Sequence, residues 1–192
     1  MTSQKLALNF FSNGTVGQGD NVFYCQTRDQ SSARFSSWAK IFESYKVSKN
    51  NIAILIAILG ELTNNSFDHN LGQWNGAPGC LVTFEKMNNA LEIFIVDRGQ
   101  GIISSLSPSL EKKIPPAEIL KKAFEERISG RAPERRGNGL KFVLKYLKQT
   151  NNSLYCYSQS ARYVLNTDAA ALDESFFPKD FGTFLYIKWS LS

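Results

Sequence analysis

The sequence predicts an α/β sandwich of two layers: one mixed, mostly antiparallel sheet with helices packed on one of its faces. Three observations lead there. Short runs rich in β-branched and aromatic residues alternate with longer runs of helical apolar spacing. Two of the short runs lie close enough to form a hairpin, and the C-terminal part is dominated by strand-like segments. With 192 residues, 43% of them hydrophobic and 20% charged, the chain has the size and composition of one globular domain.

In order, Leu6 to Phe11 and Asn21 to Gln26 read as short strands joined by the turn-rich segment SNGTVGQGD. Ser32 to Tyr45 carries Phe35, Trp38, Ala39 and Phe42 at helical spacing, and a second helix is expected from about Lys49 to Asn70. Cys80 to Phe84 and Leu91 to Val96 form the hairpin, turning through Lys86-Met87-Asn88-Asn89. Pro116 and Gly130 bracket a helix over Ala117 to Ser129. Gly139 to Gln149 sets Leu140, Val143, Leu144 and Leu147 inward and Lys141, Lys145 and Lys148 outward. Ser153 to Tyr157, Ala161 to Asn166 and Thr183 to Trp189 complete the sheet. Residues 1–34 are expected as an N-terminal extension of strands packed on a domain of residues 35–192.

Bulk properties narrow the function classes. No apolar run approaches the roughly 20 residues of a membrane span; the longest, Ile52 to Leu59, stops at Gly60-Glu61. The first residues lack the apolar core and cleavage site of a secretory signal. Cys25, Cys80 and Cys156 are odd in number and far apart, which suits a reducing, cytoplasmic setting better than a disulfide framework or zinc site. The net charge of +5 is concentrated: between Glu111 and Lys148, eleven basic residues face five acidic ones. A polyphosphate ligand explains that segment as well as a nucleic acid does, and nothing else in the chain points to nucleic acid.

Three segments carry chemistry. On the helix Lys49 to Asn70, positions 54, 58, 61, 65 and 68 share one line that begins with Ile54 and Ile58 and ends with Glu61, Asn65 and Asp68. The neighbouring stripe of Ile52, Leu55, Leu59 and Leu62 stays apolar. Either the helix ends in a polar cavity holding a metal or polar ligand, or the polar line turns into water. The second segment, Ile93 to Ile102, is an apolar strand running into Asp97-Arg98-Gly99-Gln100-Gly101. An ionised Asp accepts hydrogen bonds only, which suits an exocyclic amine, and the glycines let backbone approach a flat base. The third, Arg135-Arg136-Gly137-Asn138-Gly139-Leu140, opens a helix whose free N–H groups favour an anion such as phosphate.

In this order the segments resemble the N, G1 and G2 boxes of the GHKL superfamily, which includes gyrase, the heat-shock chaperone and the histidine kinases. Glu61 and Asn65 have the Glu-x-x-x-Asn spacing of the N box, and Gly182-Thr183 resembles the closing Gly-Thr. The resemblance implies a Bergerat ATP-binding fold, with ATP or ADP and Mg²⁺ as ligands. It implies Asn65 as the Mg²⁺ ligand and Glu61 as the catalytic base. Asp97 would read the adenine amine, and Asp68, Gly99, Gly101, Ile102 and Thr183 would help to form the nucleotide site. Arg136, Gly137, Asn138, Gly139 and Leu140 would contact phosphates, and residues 103–136 would form a mobile lid. The sequence departs from the family pattern where Lys141-Phe142 replaces the second Gly-Leu after G2. Its only histidine, His69, lies four residues after Asn65, a spacing that resembles anti-sigma-factor serine kinases. The expected function is transfer of the γ-phosphate to a Ser or Thr of a protein partner. The alternatives are an ATP-hydrolysing conformational switch and a binding module without turnover.

Overall fold

Thr2 and Gly14 frame the first element as a helix. The Thr2 hydroxyl accepts from the Lys5 N–H at 3.3 Å, and Gly14, at φ 71°, returns its own N–H to the Phe10 carbonyl at 2.8 Å. Between them Leu6, Ala7, Phe10 and Phe11 fall on one helical face and are buried. The strand expected over Leu6 to Phe11 is therefore α1, Ser3–Asn13. Spacing of one and four residues along an apolar face overrides the aromatic content that suggests a strand.

The structure is a computed structural model that describes residues 1–17, 23–70, 72–110, 112–126, 138–166 and 172–191. After α1 come β1 (Tyr24–Cys25), α2 (Arg28–Ser44), α3 (Lys49–Asn70), β2 (Cys80–Met87) and β3 (Ala90–Asp97). Then follow α4 (Gly101–Leu106), α5 (Pro116–Glu125), α6 (Gly139–Gln149), β4 (Ser153–Ser158), β5 (Ala161–Leu165) and β6 (Thr183–Ser190). Short 3₁₀ turns occupy Ser107–Ser109 and Glu174–Phe176. α2 begins at Arg28 and so runs across the boundary expected between residues 34 and 35. No helix among the described residues is long and apolar enough to cross a membrane.

The six strands form one sheet in the order β1-β2-β3-β6-β4-β5, and every pairing among them is antiparallel, so the sheet is not mixed. Alternation along each strand sorts its side chains between two cores. Val82, Phe84, Ile93, Ile95, Leu154, Leu185, Ile187 and Trp189 join the larger core with α2, α3, α4, α5 and α6. Leu81, Phe94, Val96, Tyr155, Tyr157 and Phe184 point the other way and are covered by α1 and Phe177. The expected arrangement of helices on one face is thus corrected: α1 lies on the opposite face. The reason is visible in the strands, whose second face carries an apolar patch of Leu81, Phe94, Val96 and Phe184 that has to be covered. Burying Leu6, Phe10 and Phe11 there contributes on the order of 2 kcal/mol per side chain.

Register aligns one row across the sheet toward α3. Cys25 pairs with Cys80, Cys80 with Asp97, Asp97 with Thr183, and Thr183 with Ser158. Where the rest of that face is apolar apart from Cys156, this row is thiol, carboxylate and hydroxyl. It is the floor of the candidate site.

Candidate functional site

Asp97 is the centre of the floor. It ends β3 only 3% exposed, and its carboxylate is surrounded by donors. Oδ1 accepts from the Gly99 N–H at 3.0 Å and from Asn70 Nδ2 at 3.1 Å, and Oδ2 accepts from Ser66 Oγ at 3.0 Å. Thr183 is its partner in the sheet register, and its nearby hydroxyl also favours the ionised carboxylate. Burial raises the carboxyl to about 6, and these hydrogen bonds, which favour the ionised form, offset part of that rise. Beside it, Cys80 is hydrogen-bonded to Cys25 and buried, which holds its thiol well above the ordinary range. Cys25 is lowered, chiefly by that bond, with help from Arg34, whose guanidinium donates to its sulfur at 3.4 Å.

Asn70 is the final residue of α3 and is buried. Its amide donates to Asp97 while its carbonyl accepts from the Gln100 N–H at 3.0 Å. A β-carbon on Gly99 would overlap that amide, so glycine is required there for space. The Gln100 side chain donates to the carbonyl of His69, and the His69 Nδ1 meets Ser105 Oγ at 2.8 Å. Ser66 and Asn70 continue the stripe of Leu55, Leu59 and Leu62. In sequence the conspicuous polar line is that of Glu61, Asn65 and Asp68, and Ser66 and Asn70 were not among the expected site residues. Their signal was there: a buried stripe that turns polar in its last two turns.

The line first read as a candidate for burial lies further out. Glu61 is exposed, whereas Asn65 and Asp68 are half-buried, so the polar line turns largely toward water. Asp68 pairs with Arg28 at the start of α2. Glu61 and Asn65 stand against the N-terminus of α6. A β-carbon on Gly139 would come within 2.5 Å of Glu61 Oε2 and 3.6 Å of Asn65 Nδ2. Asn138, the residue before that helix, makes no side-chain cap, which leaves the first-turn N–H groups of α6 without that partner. Leu140 is half-buried against the core. Arg136 and Gly137 lie outside the described residues.

Gly101 and Ile102 begin α4 on the other side of Asp97. Gly101 has φ 82°, and a β-carbon there would be 2.9 Å from both Ser158 Oγ and Gln159 Cγ. The Ile102 N–H donates to Ser158 Oγ at 2.9 Å, and Ser158 Oγ donates to the Gly182 carbonyl at 3.0 Å. Gly101 therefore buttresses the turn against β4. Within the expected lid, Ile103, Leu106, Ile119, Leu120, Ala123 and Phe124 are buried in the main core. The rest of the expected lid, 127–136, lies outside the described residues.

Arg98 was passed over in the sequence and is an anchor. Only 7% exposed, it donates to the Phe11 carbonyl and, at 3.0 Å, to the Asn75 carbonyl, and it stacks 4.8 Å over Phe181. It thereby ties the C-terminus of α1 to the end of β3 (a favourable place for a cation).

The candidate segments, far apart in sequence, thus meet along the C-terminal half of α3. In comparisons with known proteins, no family model matches the chain, and no curated protein matches it significantly.

Proposed function

We propose that the chain is a Mg-ATP-binding signalling protein of the Bergerat, GHKL-type fold that transfers the γ-phosphate to a Ser or Thr of a partner protein. The observation that carries this reading is the convergence on α3. Glu61 and Asn65 face Gly139 at the head of α6, while Ser66 and Asn70, further along the same helix, hold Asp97 beside Thr183. A purely structural helix has no need to gather an acceptor-only carboxylate, an uncapped helix N-terminus and an exposed acid along one side.

The residues fit the ligand. Asp97, ionised above pH about 6, is an acceptor for the 6-amino group of adenine and a poor partner for the 6-oxo group of guanine. The bare Cα of Gly139 leaves the approach to α6 open where a β-carbon would crowd Glu61. The N–H groups of that helix favour an anion, and Asn65 supplies an oxygen of the kind a hard cation takes. Mg²⁺ would neutralise phosphate charge when bound. Glu61 would hold the incoming hydroxyl and take its proton, and its exposure leaves room for a protein side chain as the acceptor.

Thermal melts with millimolar Mg-ADP test the reading. The wild type rises in Tm, and Asp97→Asn loses most of the rise because its amide presents a donor where an acceptor is needed. Asn65→Ala loses the Mg²⁺ dependence, and Glu61→Ala keeps binding but loses phosphoryl transfer. With γ-labelled ATP, an acid-stable label appears on a separate protein. A Tm indifferent to nucleotide refutes the proposal, and fast hydrolysis without protein labelling replaces the kinase with an ATPase.

A further inference from the structure

We propose, resting on the nucleotide reading above, that Asn70 is an internal occupant of the base position, which the free chain keeps shut until a nucleotide displaces it. A carboxamide presents an NH₂ donor beside an oxygen acceptor. The exposed edge of adenine presents the same pair, a 6-amino donor beside the N1 acceptor. In the structure the Asn70 amide makes both matching bonds, donating to Asp97 Oδ1 at 3.1 Å and accepting from the Gln100 N–H at 3.0 Å. It also lies so close over Gly99 that a β-carbon there would overlap it, which is where a flat base would need bare backbone.

Asp97 already accepts from Gly99, Asn70 and Ser66, with Thr183 beside it in the sheet register, so an incoming amine competes with these groups for the carboxylate. The Gly99 N–H is backbone and stays. Ser66 and Thr183 are short side chains fixed at a helix interior and a strand start. Asn70 is the long side chain among them and the last residue of its helix, so it leaves by a rotamer change in a terminal turn. Asn70 is thus a positioning residue that competes with the ligand and sets how tightly the site takes it.

The test is calorimetric titration of Mg-ADP into the wild type, Asn70→Ala and Asn70→Ser. Removing two hydrogen bonds that compete with the ligand tightens binding on the order of tenfold in both variants. A second readout in the wild type guards against a poorly folded variant. The side-chain amide resonances of Asn70 move with saturating Mg-ADP, and its protection from exchange is lost. Equal affinity in all three proteins with unmoved Asn70 resonances overturns the displacement and leaves the nucleotide site standing. Weaker binding in both variants makes Asn70 part of the ligand's own contact set and also overturns it. Absence of binding in all three overturns the nucleotide reading itself.

Discussion

Asp97 sets a sign for the pH dependence of stability that is opposite to the usual carboxylate. Its pKa rises from 3.8 in the unfolded chain to about 6 in the fold, because burial outweighs the donors from Gly99, Ser66, Asn70 and Thr183. The folded state therefore binds this proton more tightly. The associated stabilisation is complete below about pH 4 and is lost as the pH rises through about 6. A shift of that size corresponds to about 3 kcal/mol at 1.36 kcal/mol per pKa unit. The nearby thiols of Cys80 and Cys156 are raised and stay neutral throughout this window, so they do not blur it. Asp97→Asn carries no titrating group. The difference in unfolding free energy, variant minus wild type, should climb by about 3 kcal/mol between about pH 4 and about pH 7. Urea unfolding of both proteins across that range measures it. A difference that is flat, or that falls with pH, shows that hydrogen bonding and not burial governs Asp97 and refutes the reasoning.

The same carboxylate links pH to ligand binding: Mg-ADP affinity should fall about tenfold per unit below pH about 6, and a flat profile in wild-type titrations would detach Asp97 from the ligand. Gly139→Ala meets only the far end of the flexible Glu61 side chain, so urea stability should stay within about 1 kcal/mol while nucleotide affinity and phosphoryl transfer drop. If stability collapses instead, α6 and α3 are packed more rigidly there than the geometry indicates. Arg98→Ala leaves the buried Phe11 carbonyl without its cation and should lower stability by about 2–4 kcal/mol, with hydrogen exchange in α1 accelerating most. An unchanged urea midpoint would mean that α1 holds to the sheet through its apolar face alone.

Wherever a signal is local, the sequence by itself determined the structure. The helices Lys49–Asn70 and Gly139–Gln149 have the ends that periodicity and flanking residues predict. The hairpin of β2 and β3 follows from two apolar runs joined through Asn88, which takes φ 53° at the turn. The residues with candidate chemistry, Glu61, Asn65, Asp97 and Gly139, were also legible, because their spacing along one helix and at strand and helix ends is itself local.

What tertiary structure alone decided is which groups meet. Leu6 to Phe11 reads as a strand until the second apolar face of the sheet is there to be covered, and only then does the helical face of α1 have a partner. Asp68 reads in sequence as part of the nucleotide site, and the approach of α2 pairs it with Arg28, a contact no local signal announces. Asp97 gains Ser66, Asn70 and Thr183 through helix rotation and strand register set by packing across tens of residues. Caps and periodicity act over a turn or two of chain, where one residue's preference is felt directly. The partner of a buried carboxylate is chosen by the whole core, since each of its donors comes from an element that the carboxylate's own neighbours do not specify.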